Sequence, residues 1–437
     1  MAFLDPRSCE CVKSELDLFA LPTTQTSIEN GQWLHYNTLN SITDDGPLEF
    51  VVNGADEYID LSHTLLLLNV KLVKEDGTNF AATDKIAPVN NILHSLFSQI
   101  DVYLNQKLIS PPNNTYAYKS YIETLLNYGP AAKNSHLTCG LWYPDTPGKM
   151  DNADDDNDGY KKRKMFTKES KEVDLIGHLN CDLFNQSKFL INGVELRVKL
   201  VRSRNNFALM ADGTTTGKIQ INNATLLVRR VKISPTVMLA HAKALELSSA
   251  KYPITRTEIK VLTLPQGVLS KSLDNIFLGQ LPKRIAVCFV SNKAFNGDFT
   301  LNPFNFQHFN LNFMVLYVDG HQVPCKPFQP DFAGPSKKYV TMYHTLFSGT
   351  GMHFLNEGND ISREAYSGGY SVAVFDLTPD LSAGSMTHWN LVKNGSVRLE
   401  VAFQTALTET TNCLIYGEFD SVIEIDKKRN VVVDFSS

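Results

Sequence analysis

No stretch of this 437-residue chain is apolar for long enough to resemble a membrane span. The longest runs, Ile285 to Val290 and Phe313 to Val318, fall far short of the roughly 20 residues that a crossing helix needs. Neither sign of charge dominates: 41 basic against 46 acidic residues leave a net charge of −5. That balance argues against a dedicated nucleic-acid binder, which is usually basic overall or carries a basic stripe. Cysteine is sparse, with seven scattered residues, and Cys9 and Cys11 lack the Cys-x-x-Cys spacing. The expectation is reduced, mostly structural thiols from an intracellular folding compartment. The opening residues Met1 to Arg7 do not read as a signal peptide. Catalytic signatures are missing as well. There is no His-Glu-x-x-His, no His-x-His pair of a cupin barrel, no Gly-x-Ser-x-Gly, no P-loop lysine motif and no Gly-x-Gly-x-x-Gly. No catalytic, cofactor-binding or metal-ligating residue is therefore assigned, and no cofactor is expected.

What the chain does have is a long internal duplication. Asp101-Val102-Tyr103-Leu104-Asn105-Gln106 resembles Val315-Leu316-Tyr317-Val318-Asp319-Gly320. Two helix-like segments follow with the same apolar spacing: Tyr118, Tyr121, Ile122, Leu125 and Leu126 in one, and Tyr339, Met342, Tyr343, Leu346 and Phe347 in the other. Both trace the i, i+3, i+4, i+7, i+8 stripe of a surface helix. Asp182-Leu183 is echoed by Asp380-Leu381, and the segment from Asn192-Gly193 to Leu200 by Asn394-Gly395 to Phe403. A repeat of about two hundred residues is too long for a solenoid and implies two whole domains of one fold. Hydrophobic residues at 43% are enough to fill two cores.

Most periodic segments are strand-like. Leu48 to Val52 and Leu65 to Val73 are β-rich and bounded by turn residues, Ile285 to Val290 is followed by a turn at Asn296-Gly297, Leu196 to Leu200 and Leu399 to Phe403 follow Asn-Gly turns, and Leu226 to Ile233 and Cys413 to Ile425 close the two halves with long strands. Each half has room for about eight strands and one inserted helix. The predicted fold is all-β, two tandem eight-stranded jelly-roll sandwiches with a few inserted helices. The divisions are an N-terminal arm over 1–45, a first jelly roll over 46–235, a linking helix over 236–254 and a second jelly roll over 255–437. Good helix formers from Val237 to Leu247 after Ser234-Pro235 support the linker.

The first half carries about 23 more residues between its helix and its Asp-Leu landmark than the second, and Asp151 to Lys164 is the candidate insertion. It reads as an exposed loop that adds little to folding, since it has almost no apolar side chain. Asp154-x-Asp156-x-Asp158-Gly159 matches the start of an EF-hand loop, but the twelfth position is Met165 rather than Glu. A solvated acidic loop is the better reading. The basic run Lys161-Lys162-Arg163-Lys164 reads as its neutralising partner, with nuclear import as the other possibility. His241 reads as a packing or capping residue. Phe304, Phe306 and Phe309, around His308, read as core or subunit contact, since no basic residue lies among them. The apolar Leu16, Leu18, Phe19 and Leu21 of the arm need another surface to cover them, so the arm is expected to work between subunits.

Several blocks resemble the major capsid proteins of Polintons (Mavericks) and adintoviruses. They are Ser14 to Phe19, Pro22 to Ile28, Gly46-Pro47-Leu48-Glu49-Phe50, Ala240 to Glu246 and Ala250 to Arg256. The resemblance spans nearly the whole chain. It implies a double jelly-roll structural protein, not an enzyme, forming homotrimeric pseudo-hexagonal capsomers that tile an icosahedral shell. It implies as partners other copies of itself, neighbouring capsomers, and penton and minor capsid proteins, with no membrane span and no specific nucleic-acid binding. The location would be the virion, with assembly inside the host cell or its nucleus. Three chains of two similar domains give six similar lobes, which pack hexagonally. The competing reading from the residues is a tandem β-sandwich carbohydrate-binding protein, and a cupin-like enzyme comes third, lacking its ligands.

Overall fold

The computed structural model describes residues 4–42, 46–352, 356–385 and 387–433. The expected boundary at 45 and the chain end at 437 lie outside the described residues. Alternation of apolar and polar side chains makes the strands of the first half. In β3 (Tyr58–Val73), Leu66, Leu68, Val70 and Leu72 point into the core while Leu65, Leu67, Asn69 and Lys71 are half-buried on the other face. Apart from a small separate pair, Ile86–Pro88 with Leu209–Ala211, the other strands are β1 (Ile28–Asn37), β2 (Leu48–Val52), β4 (Phe97–Leu104), β5 (Lys107–Leu108), β6 (Glu172–His178), β7 (Leu196–Arg202) and β8 (Lys218–Ile233). They form two sheets in the orders β1-β8-β3-β6 and β2-β7-β4-β5.

The second half repeats this arrangement. Its strands are β9 (Ala250–Leu264), β10 (Ser270–Leu273), β11 (Arg284–Ser291), β12 (Leu311–Val318), β13 (His321–Phe328), β14 (Val372–Asp376), β15 (Asn394–Phe403) and β16 (Thr411–Ile425). The sheets run β9-β16-β11-β14 and β10-β15-β12-β13, which is the first pattern with eight added to every strand number. Two four-stranded antiparallel sheets wound in this order make a jelly roll. Short extra strands, Leu278–Gln280 and Val431–Val433, extend β15 and β16. The duplicated hairpins are built alike. Asn105 and Gln106 turn β4 into β5 with φ of 45° and 70°, and Asp319 and Gly320 turn β12 into β13 with 49° and 79°. Two consecutive positive φ values are what a two-residue type I′ hairpin requires.

The four longest helices among the described residues are α1 (Tyr116–Asn127), α2 (Asp158–Thr167), α3 (Pro235–Leu247) and α4 (Val340–Ser348). α1 lies between β5 and β6, and α4 lies between β13 and β14, so the duplicated stripe occupies the same place in each half. α3 leads from β8 to β9. Its start is set by Ser234, which accepts from the Val237 amide, followed by Pro235.

Three expectations need correction. The arm does not extend to residue 45: β1 pairs with β8 from Ile28↔Ile233 to Asn37↔Thr225, so this strand belongs to the first sandwich. The Asn30-Gly31 pair, which looks like a turn, stays in the ladder opposite Lys232 and Val231, and the one irregularity is a bulge at Glu29 just before it. The linker does not run helically to 254, because strand β9 starts at Ala250. The third correction is the largest. Residues 151–164 are not a dispensable exposed loop, since they lead into α2, where Gly159, Tyr160 and Arg163 are buried. Asn157 caps that helix and is itself buried. A methyl group at Gly159 would overlap the Pro144 carbonyl, so α2 sits directly on the chain before it.

Candidate functional site: the seam between the jelly rolls

α1 is buried almost all round, with only Glu123 and Asn127 excepted. A helix with one apolar stripe buries one face. The second face of α1 is covered because the other half of the chain lies against it. Tyr121 stacks on Phe304 at 4.1 Å between ring centres and 4° between planes. Tyr118 meets Phe295, Phe304 and Phe306 at 5.4–6.5 Å. The phenylalanines singled out in the sequence therefore fill a core that belongs to both halves, with Phe304 and Phe306 fully buried and Phe309 only partly so. Offset and edge-on contacts of this kind add stabilisation beyond area burial.

A second part of the seam is polar and centres on Asp145, which is fully buried opposite Arg163. Asp145 Oδ1 accepts from Arg163 Nη2 at 2.6 Å and from Asn157 Nδ2 at 2.9 Å, and its Oδ2 accepts from Asn302 Nδ2 at 2.8 Å. Tyr370 donates to the Asp145 carbonyl at 2.7 Å. Asp151 accepts from Asn302 N and Asn305 Nδ2, both at 2.8 Å. First-half residues thus hold second-half residues through a satisfied buried network. Burial raises Asp151 above the usual carboxylate range, against the two donors from Asn302 and Asn305. The acidic stretch does not converge on one point: Asp156 pairs with Lys149 at 2.9 Å, and Asp154 accepts from the Asp156 amide. Arg163 faces the interior, so Lys161 to Lys164 is not a continuous exposed basic patch.

The third part is a charge cluster at the rim. Lys119 Nζ lies 2.6 Å from Asp182 and 3.5 Å from Glu123. Asp182 Oδ2 accepts from the Thr257 amide at 3.1 Å, tying the first half to β9. Arg284 holds Glu418 through two bonds of 3.0 and 2.6 Å. Tyr416 OH lies 2.7 Å from Glu418 Oε1 and 3.3 Å from Glu123 Oε1, so its single proton favours Glu418. Burial would lower Lys119, but Asp182 and Glu123 beside it raise it above the usual lysine range. Burial pushes Glu123 up to about 7, with Lys119 opposing and Asp182 and Glu418 adding to the rise. Burial would raise Glu418 too, but the Arg284 guanidinium, the Tyr416 hydroxyl and Lys283 together outweigh it and hold Glu418 below the usual value. A cleft of about 520 Å³ opens beside Glu123, Asp182, Arg284, Tyr416 and Glu418.

These groups are occupied with one another and form no nucleophile–base–orienter series. The nearest approach to one elsewhere is Asp380, Ser382 and His388. There both Ser382 Oγ (3.4 Å) and Asp380 Oδ2 (2.8 Å) lie against the same imidazole nitrogen, Nε2. A relay needs the two partners on opposite ring nitrogens. His241, on α3, bonds Tyr58 OH through Nδ1 at 2.9 Å, a packing role. Sequence reasoning found the α1 stripe and the phenylalanines but missed Asp145, Arg163, Asn302 and the Glu123 cluster. No helix among the described residues is long and apolar enough to cross a membrane.

Comparison with known proteins supplies the context for this two-lobed body. No family model matches the chain. An uncharacterised protein of Caenorhabditis elegans is 27% identical over 429 residues, covering 95% of this chain and 99% of that protein. Among solved structures, a chain of the Sputnik virophage aligns with TM-score 0.66 at 11% identity, over 98% of this chain and 94% of that one. The mavirus major capsid protein aligns with TM-score 0.53 at 10% identity, over 100% and 96%. The Faustovirus major capsid protein aligns with TM-score 0.54 at 7% identity, over 94% and 92%. The fold is a double jelly roll. At these identities the likeness speaks to the fold, and it runs the length of both chains.

Proposed function

We propose that this chain is a structural shell protein, a double jelly-roll major capsid protein of the Polinton and adintovirus kind. The observation that carries the reading is the full-length match of this chain, two jelly rolls fused by a solid seam, to two viral major capsid proteins. Paired polar clusters and an aromatic core make the two lobes one rigid building block, which is what a shell needs and what a hinged catalytic pair would avoid. In this reading the block is a first jelly roll from β1 to β8 and a second from β9 onward, joined by α3. Three copies close into a pseudo-hexagonal capsomer, and capsomers tile an icosahedral shell in the virion, with penton and minor capsid proteins as further partners. No catalysis and no cofactor is part of this role. The burial of Arg163 lends no support to nuclear import through Lys161 to Lys164. Light scattering of the purified full chain, followed by electron microscopy, tests the proposal. A mass three times that of the 48.8 kDa chain and six-lobed particles are expected. A chain that stays monomeric at high concentration overturns it.

A further inference from the structure

The seam inside the chain has two sides, and each side has a counterpart that the chain leaves uncovered. On one side stand α1 and the segment after β6, and on the other stands β9. The counterpart of α1 is α4, where only Met342, Thr345 and Leu346 are fully buried, against nearly every residue of α1. Lys119 and Glu123, which face β9, correspond by the duplicated stripe to Val340 and His344, which are exposed.

The segment after β6 shows the same contrast. Asp182 lies four residues beyond the end of β6, and Asp380 lies four beyond the end of β14. Phe189 and Leu391 each stand three residues before the matching Asn-Gly. Phe189 is half-buried, and its carbonyl accepts from Tyr252 of β9 at 3.2 Å. Leu391 is 88% exposed, with Leu381, Trp389 and Val392 exposed around it.

The opposite side can be matched residue by residue through the ladders. Asp376, at the end of β14, pairs with Arg284, Arg284 with Glu418, and Glu418 with Thr257 of β9. His178, at the end of β6, pairs with Leu65, Leu65 with Leu227, and Leu227 with His35 of β1. His35 is therefore the counterpart of Thr257, which Asp182 holds. Thr257 is buried in the seam, whereas His35 and Trp33, two residues back on the same strand face, are exposed. No residue of β1 is fully buried.

We infer that a second copy of this chain repeats the seam between molecules: α4 and residues 380–385 and 387–392 of one copy dock against β1 of the next, with Leu391 and Asp380 meeting Trp33 and His35. The contact is heterologous, since each copy offers a different surface at either end. Apolar side chains sit uncovered at both ends, which is the signature of a surface awaiting a partner. The inference rests on the proposed self-association but assigns the surfaces that make it.

The test uses full chains and light scattering at micromolar concentration. Leu391→Asp disables one end and Trp33→Glu the other, while Leu247→Asp on exposed α3 is the control. Each end variant is expected to fall from the wild-type mass to that of one chain, with an unchanged far-UV spectrum, and the control to keep the wild-type mass. Mixing the two end variants leaves one good end on each, so a species of two chains is expected. End variants that keep the wild-type mass, or a mixture that remains at one chain, overturn the assigned surfaces while leaving the shell reading standing. A monomeric wild type overturns both.

Discussion

Glu123 should make the stability of this protein fall as pH rises across the mildly acidic range. Its carboxyl is lifted from an ordinary value of 4.5 to about 7 by burial, helped by Asp182 and Glu418 and resisted by Lys119. The folded value lies above the unfolded one, so its contribution is fully present below pH 4.5 and is lost as pH climbs through about 7. A shift of this size is worth about 3 kcal/mol at ~1.4 kcal/mol per pH unit. The side chain is only 11% exposed, so solvent screening does not erase the effect. Glu123→Gln keeps an oxygen for Thr257 Oγ1 and Tyr416 OH but removes the ionisation. Wild type and variant should melt together near pH 4.5. The variant should then gain progressively, reaching an advantage on the order of 3 °C above pH 7 if the two lobes unfold together. Calorimetry or dye-monitored melting from pH 4.5 to 8.5 reads this directly. A difference in melting temperature that stays flat with pH, or that favours wild type as pH rises, refutes the argument.

Other outcomes are expected at the same seam. Arg163→Ala should destabilise by about 3–5 kcal/mol, because it strands the Asp145 charge in the interior. Deleting residues 151–164 should do at least as much damage in the same thermal melt. Phe304→Ala removes the ring stacked on Tyr121 and should cost about 3–5 kcal/mol in denaturant unfolding. Trp142, with its ring centre 5.2 Å from Tyr121, serves as the fluorescent reporter. Truncating residues 1–21 should leave the melting temperature unchanged, since residues 4–21 are exposed. Truncating through 37 should lower it by stripping β1 from β8.

The duplication could be read from the sequence because the features that repeat are local ones. Hairpin residues such as Asn105-Gln106 and Asp319-Gly320 are dictated by the turn, and helix stripes by their own period. The seam was less legible, since its partners are far apart in the chain. Lys119, Ser120 and Thr124 look like the solvent face of α1 and are buried by what packs over them. α2 was hidden by its composition: an Asp-rich start and Lys161 to Lys164 argue for water, and only the pairing with Asp145 makes Arg163 an interior residue. The clues present were Asn157 ahead of Asp158-Gly159-Tyr160, a capping position before a helix turn. β1 escaped because Asn30-Gly31 imitates a turn and the strand has no buried face to impose alternation.

α2 belongs to one lobe only, and among the described residues between α4 and β14 the second half has no matching helix of that length. Part of it faces outward, with Met165 and Phe166 exposed. In a ring of three chains, alternate corners would then carry this ridge and the corners between would lack it. Anything that touched that exposed face in such a ring would meet a pattern repeating every 120° instead of every 60°. Such a mark would tell an adjoining ring which way round its neighbour stands, information that six identical lobes could not supply.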